Sequence, residues 1–146
     1  MGVKMKALSV RAPWWWAILH LGKDIENRDW ATNFRGTIYL HAGKFWNGAE
    51  IEKDIGDVSF IMGDQTPEEF CPYGELREGC GCIVGTVQIV DCVKASDSKW
   101  FFGDYGFVLT NPVAFPKPIP FKGALRFFDV PDSFLASQPA PEQPHE

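Results

Sequence analysis

Between Ser9 and Arg28 the chain gathers most of the side chains able to hold an anion or move a proton. Lys23, Glu26 and Arg28 follow one another closely. Arginine can grip a phosphate or a polarised carbonyl with two parallel hydrogen bonds, and lysine offers a compact positive charge. A glutamate beside them can accept a proton or read an amino group. Lys23 and Glu26 are therefore catalytic candidates and Arg28 a ligand contact; the same segment also reads as an exposed, salt-bridged loop. Ser9 and Arg11 alternate to one face of a short strand, where Arg11 also reads as a plain edge-strand charge. Trp14, Trp15 and Trp16 are successive residues, about 100° apart on a helix, so they cannot share a face. Trp14 belongs with the core, and Trp15 or Trp16 is left as a stacking platform or as a lid. His41 is a third catalytic candidate, as general base, with a structural histidine as the alternative. Tyr105 can stack or donate a hydrogen bond.

These residues need elements to hold them. Lys6–Val10 alternates as a strand. Pro13 suits the first turn of a helix running to about Leu21, where Trp14, Ala17, Ile18 and Leu21 form one apolar face and Gly22 stops it. Lys23–Arg28 then reads as a polar loop. A strand end, a helix start and a charged loop brought together this way line a cleft. Gly36 opens a strand over Thr37–Ala42. A second helix is expected from Phe45 to about Ile55, stopped at Gly56, with Val58–Met62 extending it or standing apart. Thr66 resembles a helix cap. Cys80–Val93 is the strongest strand, with a bulge or bend at Gly85. Tyr105–Leu109 and Phe121–Val130 are strands separated by Pro112, Pro116 and Pro118. This pattern gives an α+β domain over 5–131. Residues 132–146 carry Pro139, Pro141 and Pro144 and little apolar content, the composition of a disordered tail.

A chain of 146 residues with 45% hydrophobic content can build one core. The net charge of −5 argues against a broad basic surface. The first 46 residues nevertheless hold seven basic and three acidic side chains, a net +4 that leaves −9 for the remainder. A local basic patch thus survives an acidic total. The 14% aromatic content includes six tryptophans, which suit a surface that stacks planar ligands. Cys71, Cys80, Cys82 and Cys92 lack metal-ligand spacing, so no metal and no cofactor is expected. No apolar run is long enough to span a membrane, and no secretory segment opens the chain, so a cytoplasmic protein is the default. Oligomeric state is not legible.

Ser9-Val10-Arg11-x-Pro13-Trp14, Gly22-Lys23-Asp24-Ile25-Glu26-Asn27-Arg28, Arg35-Gly36, His41-Ala42 and Tyr105-Gly106-Phe107-Val108-Leu109 together resemble the ASCH domain. That family is named for homology to a transcription coactivator and belongs to the PUA-like superfamily. The resemblance implies a small curved β-barrel flanked by short helices. It also implies a cleft beside the first helix, bordered by Ser9 and Arg11, that binds RNA or a modified nucleoside. A base would stack on tryptophan or Tyr105, and phosphates would meet Arg11, Lys23 and Arg28. The alternative within the same resemblance is an enzyme, a ribonuclease or an amidohydrolase acting on N4-acetylcytidine. In members with that second activity a nucleophilic threonine follows the loop lysine by three residues, where this chain has Glu26; Ala12 stands where many members have glutamine. A protein-interaction adaptor remains a third reading.

Overall fold

Alternation along the first strand decides which way the sheet faces. The computed structural model describes residues 4–44, 46–63 and 70–136. In β1 (Lys4–Val10) Leu8 and Val10 enter the main core, while Ala7 joins a smaller cluster on the opposite face. β3 (Gly36–Ala42) lies parallel to β1 and splits likewise, Ile38 and Leu40 on one side and Tyr39 on the other. β2 (Ile25–Arg28), β4 (Cys82–Val93), β5 (Tyr105–Pro120) and β6 (Phe127–Pro131) complete a six-stranded sheet in the order β2-β5-β4-β3-β1-β6. Helices α1 (Trp14–His20), α2 (Gly48–Ile61) and α3 (Tyr73–Gly79) send Ile18, Ile55 and Leu76 into the main core, each almost fully buried. Each such side chain contributes about 1.5–3 kcal/mol.

The architecture is α+β, but the hydrogen-bonded ladder does not close into the expected barrel, since β2 and β6 remain its ends. The sheet curls instead. Phe127 of β6 stacks on Phe107 of β5 at 6.0 Å, and Trp30, just after β2, meets both rings edge-on. Arg28 of β2 also reaches the Ser9 carbonyl of β1 at 2.8 Å. The two ends of the sheet thus approach through side chains.

Several sequence expectations are corrected. Lys23–Arg28 is not a loop throughout, because its second half is β2, paired with Tyr105–Val108. The buried face of α1 is Trp15, Ala17 and Ile18; Trp14 is only partly covered, and Pro13 is the N-cap residue. α2 runs through Gly56 to Ile61, where Ile51, Asp54, Ile55 and Val58 form one continuous buried face. β5 continues through Pro112, Pro116 and Pro118 because β2 has already ended there, so a missing N–H on that edge breaks no ladder bond. Phe121–Arg126 is not strand; β6 begins at Phe127. α4 (Ser133–Ala136) extends the domain past residue 131, with Phe134 buried against Tyr39 and Phe121. Gly22 does take the left-handed conformation past α1, and the β3–β4 and β4–β5 registers shift around Gly85, as a bulge requires. A Cβ at Gly85 would stand 2.2 Å from the Val113 carbonyl. The expected cap at Thr66 and the remainder of the tail lie outside the described residues.

Candidate functional site

The end of α1 aims the first residue of the site. The amides of Leu21 and Lys23 both return to the Ala17 carbonyl, at 2.9 and 3.1 Å, and left-handed Gly22 makes that double return possible. Lys23 is thereby folded under the helix and left only 4% exposed. Its ammonium donates to the Ile25 carbonyl, lies 3.8 Å from Glu26 Oε1 and sits over the rings of Trp14 and Trp100 at 5.5 and 5.9 Å. Burial holds the Lys23 amine below the usual lysine range; Glu26 and then Asp24 oppose that shift, and Arg28 reinforces it.

Glu26 and Arg28 project from the same face of β2, as residues two apart on a strand must. Arg28 donates Nε–H to Glu26 Oε2 at 3.0 Å, and its NH2 group, 2.9 Å from the same oxygen, donates to the Ser9 carbonyl. Glu26 is 7% exposed, so Lys23, Glu26 and Arg28 form a cation–anion–cation row, buried at Lys23 and Glu26 and partly exposed at Arg28. The reading of this segment as an exposed salt-bridged loop is thereby excluded.

α2 forms the facing wall. Its buried Asp54 accepts from Arg11 at 2.9 Å and from the Trp14 indole at 3.3 Å, two partners that a buried carboxylate needs. One turn further on, Asp57, Phe60 and Ile61 line the opening. The third wall is the 98–102 loop, clamped by Asn27, which donates to the Trp100 carbonyl at 2.9 Å and accepts from the Phe102 amide at 2.8 Å. The walls enclose a cleft of about 860 Å³ lined by Ser9, Arg11, Trp14, Lys23, Glu26, Arg28 and Trp30, with Phe60 and Phe102 on its walls. Phe60 is 81% and Phe102 56% exposed, unusual for side chains of that size.

The structure therefore brings Ser9, Arg11, Trp14, Lys23, Glu26 and Arg28 together and leaves three candidates outside the lining. Trp15 is core, packed over Gly79, and its indole N–H has no partner among the described residues. Tyr105 lies at the start of β5 beneath Lys94. His41 is on the other sheet face, 1% exposed. Its Nε2 faces the Phe121 carbonyl at 2.7 Å and so carries the proton; Nδ1 accepts from the Ser9 hydroxyl at 2.5 Å. Ser9 thus meets the Arg28 row through its backbone carbonyl, not its hydroxyl. Burial lowers the His41 pKa, opposed by the Phe121 carbonyl.

Charge inside the cleft is mostly spent. Arg11 faces Asp54, and Lys23 and Arg28 share Glu26. Asp29 adds negative charge to the lining, and Asp57 there is paired with Lys53 at 3.2 Å. A neutral, planar, hydrogen-bonding group fits this balance better than a phosphate does. Among the described residues no cluster of histidine, cysteine, aspartate or glutamate could hold a metal ion. The cysteines are free thiols, with burial pushing Cys71 up to about 11.

Asp54, Asp57, Phe60, Trp30 and Phe102 escaped the sequence reading. For Phe60 the signal was faint but real: it departs from the buried 51/54/55/58 face once α2 continues past Gly56.

No family model matches the chain. Over 127 residues, 80% of the chain, it is 25% identical to human Activating signal cointegrator 1 and 24% identical to the mouse protein of the same name. The chain spans about a fifth of the length of these curated relatives, matching 20% of each.

Proposed function

We propose that the chain is an ASCH-type, PUA-like domain, its curled sheet standing for the family's barrel, and that its cleft binds RNA or a modified nucleotide by taking in one base. The observation carrying this reading is the Lys23–Glu26–Arg28 row, with Lys23 and Glu26 buried, at the floor of a cleft of about 860 Å³ whose walls bear Phe60, Phe102 and Trp14. That volume falls within the range of small-ligand pockets. Aromatic walls supply stacking, which any base accepts. Glu26 Oε1 and the Lys23 ammonium present one acceptor and one donor, a pair that suits the polar edge of a nucleobase. The similarity to Activating signal cointegrator 1 supports the domain assignment but spans a fifth of that protein. Residence in the cytoplasm accompanies this reading; among the described residues no helix is long and apolar enough to cross a membrane. The test is calorimetric titration of ribonucleosides and single-stranded RNA into wild type and Phe60→Ala/Phe102→Ala. Binding that survives loss of both rings would put the ligand elsewhere.

One observation favours a second reading, hydrolysis of RNA or of an acylated nucleoside in the same cleft. The buried Lys23 amine is held below the ordinary lysine range, the direction a nucleophilic or proton-accepting amine needs. His41 lies outside the cleft lining, so Glu26 and Lys23 carry the chemistry in this reading. Product formation from acylated cytidine and from RNA, abolished in Lys23→Met, would establish it; no product from wild type would leave binding alone.

A further inference from the structure

Arg126 keeps a backbone that suits glycine better than arginine. Its φ of +55° lies in the left-handed region, which side chains enter at a cost. Residues stay there when their surroundings fix both sides, and functional sites are where this is most common. Here both sides are fixed. The Phe121 amide bonds the Gly81 carbonyl at 3.1 Å, the Phe121 carbonyl takes His41, and Phe127 opens β6 while packing on Trp30. The left-handed residue brings the Arg126 guanidinium over the Trp30 ring, 4.7 Å from its centroid. Trp30 is itself part of the cleft lining.

Arg126 and Lys122 are both exposed, and among the described residues no ion pair engages either. Leu125 beside them is 92% exposed. The contrast with the cleft is plain: inside, every cation already faces a carboxylate, whereas Arg126 over Trp30, and Lys122 four residues before it in the same loop, face none among the described residues. A guanidinium stacked on tryptophan keeps its edge N–H groups for a phosphate.

Building on the base-binding reading of the cleft, we infer that the ligand is a single strand of RNA, not a free nucleoside. Its backbone leaves the cleft across Trp30, its phosphates meet Arg126 and Lys122, and Leu125 packs against the adjoining sugar or base. The aspartates of the lining keep phosphates out of the cleft, and Arg126 on Trp30 supplies a cation beside it that no carboxylate engages among the described residues.

The experiment uses the full chain, a short mixed-sequence single-stranded oligoribonucleotide and the four ribonucleosides. Variants are Arg126→Gly, which removes the guanidinium while suiting the left-handed backbone, and Lys122→Glu. The oligoribonucleotide should bind wild type more tightly than any nucleoside. Each variant should weaken oligoribonucleotide binding about tenfold, as loss of one charged hydrogen bond does. The log–log salt slope should shrink by about 0.7 per lost contact. Nucleoside affinity should not move, and the melting temperature of Arg126→Gly should hold or rise. Unchanged oligoribonucleotide affinity in both variants, or an equal loss for nucleosides, would overturn the inference. Nucleosides binding wild type as tightly as the strand would overturn it while sparing the cleft; binding of neither would overturn both.

Discussion

Arg28 and Glu26 stand two residues apart on β2, and the arginine closes on one carboxylate oxygen of the glutamate, hydrogen-bonded through Nε at 3.0 Å and with its NH2 group at ion-pair distance, 2.9 Å. The other oxygen is left toward Lys23. This pair makes the floor of the cleft a fixed polar edge, and it ties stability to binding in a way that can be separated.

Removing only the anion should hurt the fold. Glu26→Ala leaves Lys23 and Arg28 facing one another among buried groups, and loss of one partner from a buried ion pair costs about 3–5 kcal/mol. Arg28 is partly exposed, so the low end is expected. Replacing the row by Lys23→Met, Glu26→Leu and Arg28→Met should recover most of that stability and abolish ligand binding. Denaturant unfolding together with calorimetry reads both; a triple variant that still binds would exclude the row from recognition.

His41 should make the fold acid-sensitive. Its pKa is lowered from 6.5 by burial, so as pH falls below that value the unfolded chain takes up the proton first and stability drops. The loss continues until pH passes the folded-state pKa, and above 6.5 the group has no effect. His20, also lowered by burial, adds to the same trend. Unfolding curves between pH 7 and 5 should therefore be flatter for His41→Asn than for wild type. Equal slopes would mean that His41 charges without cost.

Phe134 should be needed and the residues beyond α4 should not. Phe134→Ala empties a site 6% exposed against Tyr39 and Phe121, a change that costs about 3–5 kcal/mol in a core. Truncation after Ala136 removes a proline-rich, apolar-poor segment and should shift the melting temperature by less than about 2 °C. Calorimetric melting distinguishes the two. A neutral Phe134→Ala would mean that the packing of α4 on the sheet contributes little.

Gly85→Ala should test the bulge in β4. The added carbon meets the Val113 carbonyl at 2.2 Å, and crowding of this kind costs about 1–3 kcal/mol. An unchanged melting temperature would show that β5 can retreat.

What the sequence disclosed, and what it hid, follows from where each signal is stored. Gly22 and Gly85 announced their roles because backbone geometry and close approach admit little else. Lys23, Glu26 and Arg28 were legible as chemistry but not in their setting, since charges normally mark surface, and only the Gly22 turn that folds Lys23 under α1 and the pairing of β2, which carries Glu26 and Arg28, with β5 place them at the cleft floor. The three tryptophans were misphased because an apolar stripe through Trp14 competes with one through Trp15, and only the packing of Trp15 over Gly79 decides between them. Gly56 looked like a stop because glycine weakens helices, yet the Ile51–Val58 face outweighs that cost of roughly 1 kcal/mol. Phe60 and Phe102 come from distant segments, so their convergence on one cleft is a property of the fold.

The central claim is that the cleft takes a base. Trp14 and Trp30 line it, while Trp15 is buried in the core. The direct measurement follows the indole N–H signals of the ¹⁵N-labelled full chain as ribonucleosides and then a single-stranded oligoribonucleotide are added. The Trp14 and Trp30 signals should move with saturation, and Trp15 should stay in place. Trp14 and Trp30 signals that remain fixed through both titrations would contradict that claim.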